Sequence, residues 1–377
     1  MATASAGASK ESAAALFARG DFPAAAAAYE AALRTNPGDK NAQLNLAMIR
    51  LYENDLNAAE PLLDSLLSIG PQGERAASLL AEVYRRRAEA ARGASVGGGE
   101  SRVPFLTAEP LPVVRVVANG AAANFLVDTG ADVDLEPSFA AQIGVKTSAG
   151  GTGVFMGGRR AAVERGRLAS LSVGGATAYD VPVQVMVTHA TMLVPTLHIE
   201  GVVGTTFFER FLVTIDYPNG ELIFRPRSPQ ISAAFQAKAA AAHAAIVPCY
   251  LVGDHFVMAT AQVNDAPAGL FVFDSGLEGA GVMASARLVG PAGISLSEGR
   301  AKTSYGGGGA VTEVPFVAQN VRVGTAMQRE VPGIYTPQGS PFDLFPFAVL
   351  GAISNDFLKH YAYTVDFDAM KLVLASD

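Results

Sequence analysis

The sequence predicts a multidomain chain in which all-α helical repeats precede an all-β region made of two similar lobes. Three observations predict this fold class. The first part of the chain repeats with a period of 34 residues, which is typical of helical solenoids. The part after Val103 consists of short β-branched or aromatic runs separated by Gly, Pro and Asn, as in β-barrel-like folds. Within that part, five landmarks occur twice in the same order.

The helical segment is recognised by residues of like character 34 positions apart. The matched pairs are Asp21 with Asp55, Ala25 with Ala59, Tyr29 with Leu63, Leu33 with Leu67 and Pro37 with Pro71. This spacing resembles two and a half tetratricopeptide repeats. We predict five helices, at about 11–19, 22–35, 41–53, 56–69 and 73–91. The resemblance implies either a groove that binds a substrate or protein partner, or a support for the neighbouring domain, and the sequence leaves both open.

Composition excludes several classes of function. The net charge of −7 is modest and argues against nucleic-acid binding. Cys249 is a single cysteine, and the five histidines show no metal-ligand spacing, so we predict no metal site. No segment is long and apolar enough to span a bilayer. Met1–Ser9 resembles the small-residue tail left after removal of a leader, which favours a periplasmic or secreted location; without a leader the location would be cytoplasmic.

Composition shifts and the repeats also predict the domain boundaries. The segment containing Gly97, Gly98 and Gly99 has no apolar periodicity and is expected to be a flexible linker. The alanine-rich stretch after position 229 is expected to be a helix or tether between the lobes. The predicted divisions are a helical domain at 1–92, a linker at 93–102, a first lobe at 103–228, a connector at 229–245 and a second lobe at 246–377.

Two acidic tripeptides carry the chemistry. Asp128-Thr129-Gly130 and Asp274-Ser275-Gly276 each follow a short apolar run, and they lie 146 residues apart. The other paired landmarks are the turns at Asn119-Gly120 and Asn264-Asp265, the glycine-rich stretches Phe155-Met156-Gly157-Gly158 and Tyr305-Gly306-Gly307-Gly308-Gly309, the strand ends at Gly174 and Gly324, the motifs Val202-Val203-Gly204 and Val349-Leu350-Gly351, and the closing segments 208–217 and 358–367. A duplicated lobe that brings two carboxylates together is typical of an acid/base hydrolase.

This duplicated pattern resembles the aspartic peptidases of the retropepsin and pepsin type, and bacterial retropepsin-like peptidases most of all. The resemblance implies one β-rich lobe per copy, no cofactor, and a peptide or protein substrate. It implies that Asp128 and Asp274 are the catalytic pair, that Thr129 and Ser275 support them, and that Gly130 and Gly276 shape their loops. It also implies that Gly204 and Gly351 lie behind the pair. The flap candidates are Phe155, Met156, Gly157, Gly158, Tyr305 and Gly306.

The implied reaction is hydrolysis of a peptide bond by water activated between two aspartates. Two adjacent carboxyls cannot both ionise cheaply, so they would share one proton. The alternative function is a catalytically inactive, peptidase-like scaffold that acts through its helical repeats. Intact acids and glycines in both tripeptides favour the enzyme.

Overall fold

The structure, a computed structural model, describes residues 11–68 and 70–376 and divides the chain into two compact units. The first unit ends at Arg86 and also includes Pro346–Ala348, and the second contains the rest of the chain from Arg87 onward. The leader remnant expected at Met1–Ser9 lies outside the described residues. None of the helices in the described ranges is long and apolar enough to cross a membrane.

Helices dominate the N-terminal part of the described chain, as the 34-residue period predicts. The α-helices are α1 (Ala13–Arg19), α2 (Phe22–Thr35), α3 (Lys40–Tyr52), α4 (Leu56–Asp64), α5 (Gly70–Ala90), α6 (Pro137–Gln142), α7 (Ala190–Leu193), α8 (Thr205–Phe208), α9 (Pro229–Ala241), α10 (Ala286–Val289) and α11 (Asn355–Leu358). The first five match the five predicted helices closely, so the prediction of helical repeats is confirmed.

The repeat is visible in the way its helices begin. The Asp21 side chain accepts a hydrogen bond from the backbone N–H of Ala24 at 3.3 Å, and Asp55 accepts one from Ala58 at 3.1 Å. Each cap satisfies a donor that would otherwise have no partner in the first helical turn, which typically contributes about 1 kcal/mol. The 34-residue spacing of these aspartates therefore sets the start of equivalent helices, α2 and α4.

The first unit is held together by an apolar core between its helices. Buried side chains from α3, α4, α5 and the turn after α4 form one cluster: Leu44, Ala47, Leu51, Ala59, Leu63, Leu66, Ala76, Leu80 and Val83. A second, aromatic cluster contains Phe347, whose ring centroid lies 5.0 Å from that of Phe22 and 5.7 Å from that of Tyr52. The sequence period does not predict that residues 346–348 belong to this unit, because they lie far outside the repeats.

The second unit is rich in strands. They are β1 (Ala94–Val96), β2 (Ser101–Pro104), β3 (Val113–Ala118), β4 (Ala121–Asp128), β5 (Asp134–Leu135), β6 (Ser148–Val154), β7 (Arg160–Val173), β8 (Ala176–Val185), β9 (Gly201–Gly204), β10 (Phe211–Asp216), β11 (Glu221–Pro226), β12 (Ala245–Val252), β13 (Phe256–Val263), β14 (Gly269–Asp274), β15 (Val282–Ala284), β16 (Lys302–Gly306), β17 (Gly309–Val323), β18 (Ala326–Tyr335), β19 (Val349–Ser354), β20 (Ala362–Asp366) and β21 (Lys371–Ala375). The predicted all-β region is confirmed.

The strands form two sheets whose connections repeat. In the described residues one sheet has the order β1-β8-β5-β9-β4-β3-β7-β6, and the other has the order β16-β17-β18-β15-β19-β14-β13-β12-β21-β20-β10-β11-β2. The run β6-β7-β3-β4-β9-β5-β8 in the first sheet is mirrored by β16-β17-β13-β14-β19-β15-β18 in the second. This shared order of strands is what a duplicated lobe produces.

An approximate two-fold axis passes between β10 and β20. These strands pair antiparallel with Thr214 opposite Thr364, and their hydroxyl oxygens lie 2.7 Å apart. Val213 pairs with Val365, and Ile215 pairs with Tyr363. Thr214 and Thr364, which are 150 positions apart, thus face one another at the centre, and the two-fold relation between the lobes exchanges the pair Val213–Val365 with the pair Ile215–Tyr363.

The segment 93–102 is not the flexible linker that its glycines suggested. β1 pairs with β8, and β2 pairs with β11, so both ends of this segment belong to sheets. Backbone hydrogen bonding to strands that come much later in the chain overrides the weak local preference. The connector expected at 229–245 contains α9, whose cap is the Ser228 side chain.

Candidate active site

The two aspartates stand at the ends of equivalent buried strands. Asp128 ends β4 and Asp274 ends β14, and each of these strands runs parallel to a neighbour, β9 and β19 respectively. Phe125 and Phe271 are fully buried in these strands, which fixes their direction. The backbone N–H of Gly130 donates to Asp128 Oδ1 at 2.7 Å, and that of Gly276 donates to Asp274 Oδ1 at 2.8 Å.

The loops that follow these strands lie against each other. A Cβ atom placed on Gly130 would be 2.5 Å from Cγ of Asp274, and one placed on Gly276 would overlap the Asp128 carboxylate. Only glycine allows each loop to approach the opposite acid so closely. The structure therefore brings together the two carboxyls that the sequence separates by 146 positions, and it shows why a glycine follows each of them.

Thr129 and Ser275 join the two loops by reciprocal hydrogen bonds. The Thr129 N–H donates to Ser275 Oγ at 3.0 Å, and the Ser275 N–H donates to Thr129 Oγ1 at 3.1 Å. The Thr129 hydroxyl also donates to the carbonyl of Phe273, and the Ser275 hydroxyl donates to that of Val127. Both side chains are buried, with relative exposures of 3% and 0%. All four hydrogen bonds cross between the lobes, so they hold the aspartates at one separation.

Burial changes the pKa values of Asp128 and Asp274. Burial and then repulsion from Asp274 raise the pKa of Asp128 well above its usual range. Burial also raises the pKa of Asp274, although the N–H of Gly276, a hydrogen bond with Asp128 and the charge of His255 oppose this rise. The two carboxyls are hydrogen-bonded to each other. Such a pair retains a shared proton at pH values where an ordinary aspartate is fully ionised.

Both aspartates line a cavity of about 440 Å³ in the second unit. Of the flap candidates, Phe155, Met156, Tyr305 and Gly306 also line this cavity. Gly157 and Gly158 are not among its lining residues. They take positive φ angles of 70° and 65° in the turn between β6 and β7. This turn and its counterpart between β16 and β17 are the two glycine-rich landmarks of the sequence.

The two glycine-rich hairpins touch each other. Arg159 Nε donates to the carbonyl of Ala310 at 2.7 Å. A Cβ atom placed on Gly307 would lie 2.8 Å from the Phe155 ring. The glycines therefore permit close packing between the hairpins.

The prediction that Gly351 lies behind the second aspartate is wrong. Gly204 pairs with Asp128 as expected, but Gly351 pairs with Phe271, and the residue beside Asp274 is Ser354. The true counterpart of Gly204 is therefore Ser354, at an offset of 150 positions. The Ser354 hydroxyl donates to the Asp274 carbonyl. The apolar-apolar-Gly motif misled the comparison because Val349-Leu350-Gly351 imitates it three residues too early.

A cluster of charged side chains at the cavity wall escapes sequence analysis. His255 Nδ1 lies 2.8 Å from Asp254 Oδ1 and 3.5 Å from Asp132 Oδ2, and Gln184 donates to Asp132. We predicted no site that includes any histidine. Asp132 and His255 come from different lobes and share no local motif, so no spacing could have indicated the contact. The imidazole nitrogen occupies the space between the two carboxylates as their ion-pair partner.

Asp134 lies next to this cluster and has an abnormal pKa. Its Oδ1 atom is buried without a hydrogen-bond partner among the described residues. Burial, followed by the charge of Asp132, raises its pKa from 3.8 to about 8. The folded protein therefore holds this proton more tightly than the unfolded chain, and ionisation of Asp134 opposes folding.

We expect Asp134→Asn to raise the melting temperature by a few degrees at pH 8 and by less at pH 5. In the native protein, the stability linked to this group is complete below the unfolded pKa and is lost as pH rises through the folded pKa of about 8. The amide removes that loss because it does not ionise. Thermal unfolding at both pH values measures the difference, with Asp265→Asn, on an exposed turn, as the control. An equal rise in melting temperature at both pH values would contradict the raised pKa of Asp134.

Residues 114–207 match the aspartyl protease family model. This match lies within the first lobe and includes Asp128 and its loop. Residues 16–83 match the tetratricopeptide repeat model. The chain is thus similar to tetratricopeptide repeats over residues 16–83 and to aspartyl proteases over residues 114–207.

Part of the chain is also similar to solved structures. Among them is a retropepsin-like aspartic protease from Rickettsia conorii, 19% identical to this chain, with a TM-score of 0.25. The similarity covers 36% of this chain and 94% of that protein. No curated protein matches the chain.

Proposed function

We propose that this protein is an aspartic endopeptidase that hydrolyses peptide bonds with a water molecule activated between Asp128 and Asp274. The observation that carries this proposal is the pair of loops joined by reciprocal Thr129 and Ser275 hydrogen bonds, with one aspartate on each loop. The match of residues 114–207 to the aspartyl protease model supports it. A chain that had lost this activity would have no need to keep both acids, both hydroxyls and both glycines.

The proposed reaction uses the shared proton of the pair. The ionised aspartate accepts a proton from water as the water oxygen attacks the carbonyl carbon of the peptide bond. The protonated aspartate donates a hydrogen bond to the carbonyl oxygen, where negative charge develops. Proton transfer to the leaving nitrogen then breaks the C–N bond and yields a carboxylic acid and an amine. Burial strengthens each of these interactions because little water competes for them.

We assign the substrate to the cavity that contains the pair. A cavity of about 440 Å³ is of the size that takes several side chains or a small ligand. Its wall carries large apolar groups, among them Phe155, Met156, Phe256 and Phe342, together with the carboxylates. We propose that the hairpins around Phe155 and Tyr305 act as flaps on the bound peptide.

We assign binding of a protein substrate or partner to the tetratricopeptide region. Repeats of this kind present extended surfaces that commonly bind peptides and proteins. The match of residues 16–83 to the repeat model supports this assignment. The region would then select proteins for the endopeptidase, whereas short peptides would be cleaved without its help.

We expect the purified protein to cleave members of a peptide library, with a bell-shaped dependence of kcat/KM on pH. Below the lower apparent pKa of the pair both acids are protonated and no base remains; above the upper one no acid remains. Because burial raises the pKa of both aspartates above 3.8, the acidic limb should lie above that pH. Mass spectrometry of the digest identifies a substrate for the profile. Absence of cleavage throughout the library would favour the alternative function, an inactive scaffold that acts through its helical repeats. An optimum below about pH 3 would contradict the raised pKa values of the two aspartates.

A further inference from the structure

The wall of the cavity breaks the two-fold symmetry of the lobes. Asp132 stands four residues after Asp128 and is buried, whereas Glu278 stands four residues after Asp274 and is exposed. His255, the histidine that contacts Asp132, has no counterpart in the first lobe either. Strand register defines its position: His255 stands three residues before Met258, and Met258 pairs with Val272.

The position equivalent to His255 in the first lobe is a proline. Val113 pairs with Leu126, which corresponds to Val272 in the second lobe, and Pro110 stands three residues before Val113. A proline carries no charge. The second lobe therefore contributes a histidine to the cavity wall at a position where the first lobe has a proline.

We propose that His255 is a positioning residue for the aspartate pair: its imidazolium, held between Asp132 and Asp254, favours the carboxylate form of Asp274 and leaves the shared proton on Asp128. This inference rests on the proposed function, and it adds which aspartate acts as the base and which as the acid. Asp274 would accept the proton from water, and Asp128 would donate to the carbonyl oxygen.

Contacts around His255 keep it charged. Nδ1 lies 2.8 Å from Asp254 Oδ1 and 3.5 Å from Asp132 Oδ2, and the ring packs on Phe256 with centroids 4.1 Å apart. Burial lowers the pKa of His255, but the carboxylates of Asp132 and Asp254 outweigh burial and raise it well above 6.5. Asp134 also faces this cluster. The imidazole is therefore a cation at neutral and acidic pH.

The charge of His255 acts unequally on the two aspartates. His255 directly precedes β13, which pairs with β14, and β14 ends at Asp274. The charge of His255 lowers the pKa of Asp274, because a cation favours the ionised form of a nearby carboxyl. The second lobe thus contributes both the cation and the carboxyl whose ionised form it favours.

Carboxyl-carbon NMR of the ¹³C-aspartate-labelled full-length protein tests the proposal without any substrate. Signals that disappear in Asp128→Asn and in Asp274→Asn identify the pair. We expect the Asp274 carboxyl to ionise at lower pH than the Asp128 carboxyl in the native protein. In His255→Gln the lower step should move up by roughly half to one pH unit, whereas His255→Arg should keep it low. His360→Gln, a change at an exposed histidine, should leave both steps in place.

Several outcomes would overturn the proposal. Ionisation of Asp128 before Asp274 in the native protein would do so, and that measurement needs no His255 variant to fold. An unmoved lower step in His255→Gln, or a His255→Arg protein that behaves like His255→Gln, would do so as well. If His255 served only to support the fold, His255→Gln would lower peptidase activity at every pH without shifting the acidic limb. If the expected titration were seen in a protein that cleaves no peptide, the endopeptidase function would fail and the His255 assignment would stand.

Discussion

Asp128→Asn and Asp274→Asn should each lower the rate of peptide hydrolysis by roughly 10²–10⁴-fold, because either change removes one partner of the acid/base pair. The amide is nearly isosteric with the carboxyl but cannot accept a proton from water or share one with its neighbour. The double variant should be little worse than either single variant, since the two residues act as one unit. Initial rates on a peptide found in the library give the comparison.

Folding of these variants must be separated from chemistry. Both aspartates are partly buried and resist ionisation, so an uncharged amide should preserve stability or increase it. Thermal unfolding checks this point, and Asp265→Asn, on an exposed turn outside the cavity lining, is the matched control for activity. A variant of the pair that keeps nearly full activity would show that the residue is not catalytic.

Thr129→Val should destabilise the protein by roughly 2–4 kcal/mol. Valine keeps the shape of threonine but loses the bonds that its hydroxyl makes to the Ser275 N–H and the Phe273 carbonyl. These backbone groups are buried between the lobes, where water cannot replace the missing partner. Peptidase activity should fall as well, because the carboxyls are no longer held at one separation. Denaturant unfolding measures the stability, and Thr260→Val, at an exposed position on β13, is the control.

A double-mutant cycle with Ser275→Ala tests whether the two hydroxyls form one unit. Each hydroxyl accepts the N–H of the residue that carries the other, so loss of one should loosen the second. We expect the combined loss of stability in the double variant to be smaller than the sum of the single losses. Strict additivity would mean that the two loops are held independently.

Local patterns predicted the helices and the duplication well. Helix starts at Asp21 and Asp55 depend on a side chain and a backbone N–H three residues later, so the sequence contains the whole interaction. The turns at Asn119 and Asn264 are predicted by residue type, because each of these residues has a positive φ, which asparagine tolerates. Their side-chain amide oxygens accept the backbone N–H groups of Ala169 and Gln319, which lie 50 and 55 residues later, so these contacts are not local.

Strand register was the weakest part of the prediction. Gly351 looked like the counterpart of Gly204, but the ladder between β14 and β19 places Ser354 there. The apolar motif repeats within a few residues, and side-chain character cannot choose between neighbouring registers. The hydrogen-bond ladder makes that choice, and it depends on the parallel partner strand. The same reason explains the failure at 93–102, where distant strands β8 and β11 order a glycine-rich segment.

The sequence by itself determined the helical repeats, the two β lobes and the candidate acids Asp128 and Asp274, because each depends on residues close together in the chain or on their repetition. Tertiary structure alone decided which residues meet across the lobes. The contact of His255 with Asp132 and the place of Phe347 among the helices join positions that share no pattern. Such contacts arise from the packing of complete sheets and helices, and no spacing in the chain encodes them.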